Sequence, residues 1–449
     1  MSVTSSPTAP ESRARRLAVT YHLYVFLDDF VLLYPVYALL FTDTGLSVAE
    51  ISSLFVLWAL SGLLLEVPSG VVADAVSRRL LLGAAPLFGA LGFALWVAAP
   101  SYGAFAVGFL LWGVRGALQS GAAEALLYDE LDRLGLAGRY GRLIGRATTT
   151  GLVAVLLATA VAAPVFAAGG YPAVGAASVL ASLLCAVAGF ALPEHRSTAA
   201  PAPVATAGAG TTGPAPGVGG GGVHRGDPTR EGDPPDEVAE PSGWLAVLRA
   251  GLTEARTNPP VRRALLLLAV ISGIWGGLEE YTSLLAGEVV AAPTVPLLVL
   301  LVWAGVMLGG LLTPVGQRLG RGWFAATVAL AAGALAVGAL SGRPSGFVLI
   351  ALAYCALQMV GLVLDVRLQE SISGPSRATV TSLAGLGTEL ITITLYGGYA
   401  FASGFAGHGG VVALCAVPYL VVAMVLVRVP GSGRSEPASR VASRAARTE

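Results

Sequence analysis

The sequence contains no lysine, and all 27 of its basic residues are arginine. Histidine and methionine occur 4 times each in 449 residues, and charged residues make up only 12% of the chain. A phosphate-binding loop of the Gly-x-x-x-x-Gly-Lys type needs a lysine, so an ATPase of that class is excluded. The formal net charge is +0 and no basic stripe with interleaved aromatic residues occurs, so nucleic acid is not expected as a partner.

Cysteine is also scarce. The 3 cysteines, Cys185, Cys355 and Cys415, each lie inside an apolar run, and their spacing does not fit a metal site. We expect buried thiols without disulfide bonds. No metal and no cofactor is expected.

Apolar residues, in contrast, are abundant. They make up 55% of the chain, and the mean hydropathy is +0.73, which is too apolar for a soluble protein of ordinary composition. A helix needs about 20 apolar residues to cross a bilayer. The sequence therefore predicts an all-α integral membrane protein with about twelve transmembrane helices, at 18–41, 49–73, 79–98, 102–127, 143–168, 172–192, 262–287, 293–316, 322–341, 346–369, 378–403 and 409–428.

These predicted spans form two sets of six, at 18–192 and 262–428, so the chain has two helical halves. The segment between them, 193–261, is rich in Ala, Pro, Gly and Thr, and we expect a largely disordered cytoplasmic linker. Short cytoplasmic tails are predicted at 1–17 and 429–449. No apolar core precedes Arg13, so no cleavable signal peptide is expected.

Arginine is distributed unevenly between the predicted loops. Under this span count most of the arginines fall on one side, and Arg343 alone lies in an opposite loop. Because basic loops stay on the cytoplasmic side, both termini should be cytoplasmic in a multi-pass protein of the cell membrane. One chain holds both halves, so a monomer would suffice.

The hairpin between the second and third spans carries a spaced set of residues: Gly70, Asp74, Arg78 and Arg79. Its spacing resembles the loop 2-3 signature of the major facilitator superfamily, although Ala75 and Ser77 depart from the usual pattern. A glycine lets two helices approach closely, and an acid suits the N-terminal end of the next helix. With Glu66, which lies near the same helical face, these residues are the predicted cytoplasmic gate.

The resemblance implies two pseudo-symmetric six-helix bundles that rock around a binding site near the membrane midplane. Two internal repeats agree with such parallel halves. The first joins Leu27-Asp-Asp-Phe30 to Leu278-Glu-Glu-Tyr281. The second joins Arg146-Ala-Thr-Thr-Thr-Gly-Leu152 to Arg377-Ala-Thr-Val-Thr-Ser-Leu383.

Carboxylates inside the spans indicate functional sites, because the free energy of inserting one at a helix centre is unfavourable by about 2.5–3.5 kcal/mol. A water-filled cavity, a partner cation or protonation must offset that cost. The candidate proton or substrate sites are Asp28, Asp29, Glu279, Glu280 and Glu389. Since adjacent residues lie about 100° apart on a helix, we expect one of Asp28 and Asp29 on the cavity and the other beside it. Tyr24, Phe30, Tyr34 and Tyr37 are candidate lining or packing residues.

The fourth span carries Arg115 followed by Gly121-Ala-Ala123. This arrangement resembles the fourth-span motif of proton-coupled facilitators, with departures at Leu118 and Gln119. In that family the arginine is linked to proton transfer, so Arg115 joins the cavity candidates. The competing interpretation is a structural ion pair.

These residues predict a secondary active transporter that uses a proton or other ion gradient, most simply one that exports a small organic molecule in exchange for protons. A degraded Gly-Pro motif at Ala163-Pro164 supports export only weakly. The alternative is uptake or facilitated diffusion of a metabolite. An integral membrane enzyme is a remote alternative, because no further acid follows Asp28-Asp29 as a magnesium diphosphate cluster would need. A non-transporting receptor or scaffold is the other remote alternative.

Overall fold

A computed structural model describes residues 9–195, 249, 252–253, 255–372 and 377–428. At residues 9, 66–75, 321, 377 and 378 it describes the backbone but not the side chains. The regular secondary structure in these ranges is helical, and they contain no β-strand. The predicted tail 429–449 and most of the predicted linker lie outside the described residues.

The first half of the chain folds into α1 to α7. Their bounds are α1 Ala9–Asp29, α2 Tyr37–Asp43, α3 Val48–Ala75, α4 Arg78–Ala98, α5 Tyr102–Gln119, α6 Ala122–Arg133 and α7 Tyr140–Phe190. Helix α7 consists of two arms that meet at Gly170, whose φ of 60° lies in the left-handed region that glycine tolerates. With 51 residues it would be about 77 Å long if straight, more than twice the thickness of the hydrocarbon core.

The second half forms the remaining helices. They are α8 Pro259–Glu279, α9 Thr282–Gly287, α10 Val295–Leu311, α11 Thr313–Arg318, α12 Arg321–Leu340, α13 Gly346–Ser371, α14 Arg377–Ala402, α15 His408–Leu414 and α16 Val417–Arg428.

Within the described residues, 8 helical segments are long and apolar enough to cross a membrane, and one of them contains both arms of α7. The protein is therefore a multi-pass membrane protein. Helices α1, α5 and α14 fall outside this set; α1 ends on an acid pair and α5 carries Arg115. A total of about twelve spans thus stays a prediction.

Two of the interruptions in the predicted spans lie at the repeated acid pairs. The first predicted span, 18–41, is interrupted because α1 ends at Asp29 and α2 begins only at Tyr37. Pro35 lies in this break and disfavours helical geometry at the preceding residue. The seventh predicted span, 262–287, is interrupted between Glu279 and Thr282. Each break follows directly on one of the repeated acid pairs.

Neighbouring side chains compensate these breaks in the backbone. The Leu33 amide donates to Ser178 Oγ on the second arm of α7 at 3.0 Å. The Thr282 hydroxyl donates to the Leu278 carbonyl at 3.4 Å. Irregular backbone at membrane depth is stable only where such partners exist, because hydrocarbon offers none.

The helices of each half pack on one another, and contacts between helices also join the halves. Contacts connect α1, α3, α4, α5 and α7 in the first half, and α8, α10, α12, α13, α14 and α16 in the second. The halves meet through α3 with α14, α7 with α10, and α2 with α9.

Polar contacts identify the two ends of the helices. Arg139 Nη2 lies 3.8 Å from Glu11 Oε1 at the end where the described chain begins, which we call the terminal side. At the other end, the Tyr171 hydroxyl donates to Asp43 Oδ2 at 2.6 Å. We call this end the opposite side. Helix α3 runs from the opposite side to the terminal side, so each residue of α3 marks a depth.

Close packing of α10 on α13 depends on two glycines four residues apart. A Cβ at Gly305 would lie 3.0 Å from the carbonyl carbon of Ala351, and one at Gly309 would lie 3.0 Å from that of Cys355. Small residues at this spacing let two helix backbones approach each other in a membrane.

We expect Gly305→Val to lower the free energy of unfolding by about 1–3 kcal/mol, because the added side chain overlaps the α13 backbone. Thermal unfolding of the purified protein in detergent measures the change. Gly333→Val is the matched control, since a Cβ at Gly333 meets nothing within 4 Å. Equal effects of the two substitutions would contradict the packing argument.

Candidate functional site

A cavity of about 240 Å³ lies between the two halves. Helices α1, α2, α3, α5 and α7 contribute to it from the first half, and α8, α9 and α10 from the second. Its lining combines carboxylates with aromatic rings and includes Asp29, Tyr34, Tyr37, Trp58, Trp112, Glu279, Glu280 and Trp303.

A larger cavity of about 1020 Å³ adjoins the first. The two cavities share Trp58, Glu279 and Glu280 in their linings. From there the larger one extends past Gly62 on α3 to Thr381, near the start of α14. Gly62 lies farther along α3 toward the terminal side than Trp58, so the larger cavity extends in that direction.

Contacts between the halves close the site toward the opposite side. The Tyr37 hydroxyl of α2 donates to Glu280 Oε2, just after α8. The Ser52 and Tyr281 hydroxyls lie 2.7 Å apart, and the Phe55 ring packs against the Tyr281 ring with centroids 5.5 Å apart.

Asp28 and Arg115 form an ion pair inside the first half. Arg115 Nη2 lies 2.5 Å from Asp28 Oδ1 and also donates to the Asp28 backbone carbonyl at 3.0 Å. Gln119 Nε2, one turn along α5, donates to the same carboxylate oxygen at 2.9 Å. Neither Asp28 nor Arg115 lines the described cavities. Arg115 and Asp28 thus have the contacts of an ion pair beside the cavity.

Asp29, in contrast, lines the smaller cavity. Its carboxylate makes no hydrogen bond or ion pair with the described side chains. Oxygen Oδ2 lies against Gly151 of α7, in space that a Cβ at this position would occupy. Gly151 therefore makes room for the carboxylate at the cavity wall.

The second acid pair is divided in a similar way. Glu280 accepts the hydrogen bond from Tyr37 across the two halves. Glu279 lines both cavities and has no hydrogen bond or ion pair within the described part of the chain. Glu389 of α14 lines the larger cavity only. The structure thus brings Asp29, Glu279 and Glu280 together at one cavity and leaves Asp28 and Arg115 beside it.

Aromatic residues form the wall of the smaller cavity, and most of them are not among the residues predicted from the sequence. Tyr34 and Trp58 each stack on Trp112 with ring centroids 5.2 Å apart. Trp303 of α10 contributes a ring from the second half. Tryptophan in an apolar span is equally typical of packing or of the membrane interface, so its sequence position gave no signal. Of the aromatic candidates, Tyr34 and Tyr37 line the cavity, whereas Tyr24 and Phe30 do not.

The hairpin between α3 and α4 makes its described contacts inside the first half. The side chains of Glu66, Gly70 and Asp74 lie outside the described residues, and Arg79 is exposed. Arg78 pairs with Asp129 of α6, and its backbone amide donates to Glu194 Oε1 at 3.0 Å. A carboxylate thus sits at the N-terminal end of α4, where the helix dipole favours it, and Glu194 supplies it.

No cluster of metal-ligand residues is present in the described ranges, which contain no group of three or more His, Cys, Asp or Glu placed to hold a metal ion.

Comparisons with known proteins agree on one fold. The sequence model of the Major Facilitator Superfamily matches residues 21–390. A crystal structure of the nucleoside transporter NupG has a TM-score of 0.63 at 14% identity, over 93% of this chain and 100% of that one. A bacterial homolog of the human lysosomal transporter Spinster, in an inward-facing and unoccupied conformation, has a TM-score of 0.59 at 17% identity, over 94% and 97%.

A D-xylose-proton symporter also has a TM-score of 0.59, at 15% identity, over 93% of this chain and 98% of that one. These identities are low, so the solved structures show the shared fold alone. No curated protein sequence matches the chain.

The different roles of Asp28 and Asp29 can be tested by measuring how each substitution changes the stability of the protein. Asp28→Asn leaves the Arg115 guanidinium, which is 4% exposed, without its counter-charge. We expect the free energy of unfolding to fall by about 3–5 kcal/mol. Asp29→Asn removes no hydrogen bond to a described side chain, so its effect should be far smaller.

Thermal unfolding in detergent measures both variants. The double variant Asp28→Asn/Arg115→Gln removes both charges and should regain much of the lost stability. Equal losses for Asp28→Asn and Asp29→Asn would contradict the assignment of Asp28 as the structural partner of Arg115.

Proposed function

The chain belongs to the major facilitator superfamily, and we propose that it exports a small organic molecule across the cell membrane in exchange for protons. In this proposal about twelve spans form two six-helix bundles, and both termini are cytoplasmic. The observation that carries the proposal is a cavity between the halves, lined by the carboxylates of Asp29 and Glu279, which have no partner among the described residues.

Proton coupling follows from the state of these carboxylates. An acid at membrane depth must be hydrated, paired or protonated. Asp28 is paired with Arg115, and Glu280 accepts a hydrogen bond from Tyr37. Asp29 and Glu279 have no such partner in the described part of the chain, so they are the first choices for the proton sites. Arg115 pairs with Asp28, which is the neighbour of Asp29 in the chain. Its charge therefore modulates the electrostatic field at Asp29.

Alternating access supplies the transport step. The larger cavity extends toward the terminal side, and the contacts of Tyr37 with Glu280 and of Ser52 with Tyr281 close the opposite side. These contacts join the two halves, so a rocking motion of the halves has to break them. Glu280 both lines the cavity and makes the closing contact, which links the occupancy of the site to the closure.

The fourth-span motif at Arg115 and Gly121–Ala123 supports proton coupling, and the degraded motif at Ala163-Pro164 gives weak support to export. Uptake is the competing direction. A proton gradient imposed on the reconstituted protein distinguishes export from uptake. In exchange for protons the solute moves against the proton flow, whereas in proton-driven uptake it moves with that flow, so it accumulates on opposite sides of the membrane.

Proton coupling can be measured in proteoliposomes that contain a pH-sensitive dye. With an imposed proton gradient, addition of a transported solute should produce a proton flux. We expect Glu279→Gln to reduce the flux at least tenfold, because the amide cannot carry the proton. Glu370→Gln is the matched control, since Glu370 is exposed at the end of α13. An unchanged proton flux in Glu279→Gln would show that another carboxylate is the proton site.

Closure of the opposite side can be tested with a disulfide. A Cβ at Gly287 would lie 2.9 Å from Leu39 Cδ2, so these residues of α9 and α2 are neighbours across the two halves. In a background without the native cysteines, we expect oxidised Leu39→Cys/Gly287→Cys to block transport and a reducing agent to restore it. Each single variant should transport normally under oxidising conditions. Transport by the cross-linked protein would contradict alternating access through this closure.

A further inference from the structure

We propose that the solute is a small organic cation, a quaternary ammonium or a protonated amine with an apolar body, bound between the carboxylates and the aromatic rings of the smaller cavity. This inference rests on the proposed transport function and names the substrate class of the same site. Charge, ring geometry and cavity size support it separately.

The charge of the lining has one sign. Asp29, Glu279 and Glu280 line the smaller cavity, and Glu389 lines the larger one. No arginine or histidine is among the described residues that line either of these two cavities. An anionic solute would meet carboxylates without a compensating cation, which costs several kcal/mol for a like-charge contact.

Arg115 does not alter this balance. Its guanidinium is buried, and it lies 2.5 Å from the Asp28 carboxylate. The pair contributes no net charge, because the two unit charges cancel. The net charge at the cavity wall is therefore that of the carboxylates that line it.

The aromatic rings supply a second means of binding a cation. Tyr34, Trp112 and Trp58 form a continuous stack on the side of the first half, and this stack fixes the ring orientations. Trp303 lies on the side of the second half. Cations are attracted to aromatic faces, most strongly to tryptophan, and quaternary ammonium groups are often bound by such cages.

Size and donor arrangement favour an organic cation over a metal ion. Hard metal ions such as Ca²⁺ need about six to eight oxygen ligands around one point. The described acids do not form such a cluster. At about 240 Å³ the cavity lies just below the range of drug-sized pockets, which begins near 300 Å³. The smaller cavity therefore has room for a compact cation, and the larger cavity of about 1020 Å³ adjoins it.

Exchange for protons follows from the same chemistry. A carboxylate that holds a proton is neutral and no longer attracts the cation, and a carboxylate that binds the cation is ionised. Glu279 lines both cavities, so it can meet the cation in either. Proton and solute then compete for one site, and this competition couples their opposite movements.

Binding to the purified full chain tests the inference without transport. The probes are choline, its uncharged carbon isostere 3,3-dimethyl-1-butanol, phenyltrimethylammonium and benzoate, each titrated by isothermal calorimetry. We expect the two cations to bind at least tenfold more tightly than the alcohol or benzoate. Their affinity should fall as the pH is lowered, because protons compete for the carboxylates.

Tryptophan variants locate the binding. Trp303→Leu should weaken cation binding roughly 2- to 30-fold, and Trp303→Phe should lose less because it keeps an aromatic face. Trp323→Leu is the matched control, since Trp323 is 74% exposed on α12 and lines neither cavity. Thermal unfolding confirms that each variant is folded.

Three results would overturn the inference: equal binding of choline and its isostere, tighter binding of benzoate, or no binding of either cation by folded protein. Equal effects of Trp303→Leu and Trp323→Leu would also overturn it. Failure of the proposed function gives a different result, namely cation binding without any proton flux in proteoliposomes. Proton flux driven only by neutral or anionic solutes would leave the transport proposal standing and refute the cation.

Discussion

Two acid pairs lie at the ends of interrupted helices and must be stabilised at membrane depth. The rest of the structure depends on the contacts that do this. Asp28 and Asp29 end α1, and Glu279 ends α8 with Glu280 following. A helix C-terminus carries partial negative charge, so carboxylates there are unfavourable. Hydrocarbon offers no water to the free backbone groups beside them. Arg115, Tyr37 and Ser178 provide the compensating contacts, and they lie on α5, α2 and α7.

The compensation is incomplete, and this gives the cavity its chemistry. One acid of each pair has a partner, Asp28 with Arg115 and Glu280 with Tyr37. The other acid of each pair faces the cavity without a partner among the described residues. Aromatic rings fill the space around these open carboxylates, so the cavity offers negative charge in an apolar surrounding. We infer that such a site exchanges protons for an organic cation.

The local sequence pattern predicted the class of protein and its family. The apolar runs predicted a helical membrane protein, and the family match over residues 21–390 confirms the superfamily to which the hairpin motif pointed. The repeat of Asp28-Asp29 as Glu279-Glu280 also marked the residues near which the cavity lies. The interruption after α1 could be anticipated from Pro35, whereas nothing in the sequence around Glu280 and Tyr281 signals the second break.

By itself the sequence determined which segments are apolar enough for lipid and which of them carry charge, because both properties depend on residue type and spacing alone. Only the tertiary structure decided which acid of each pair is open and which aromatic residues line the site. Those outcomes depend on helices far apart in the chain: Arg115 lies 87 residues from Asp28, and Glu280 lies 243 residues from Tyr37. Contacts of that range arise from packing, which no local pattern encodes.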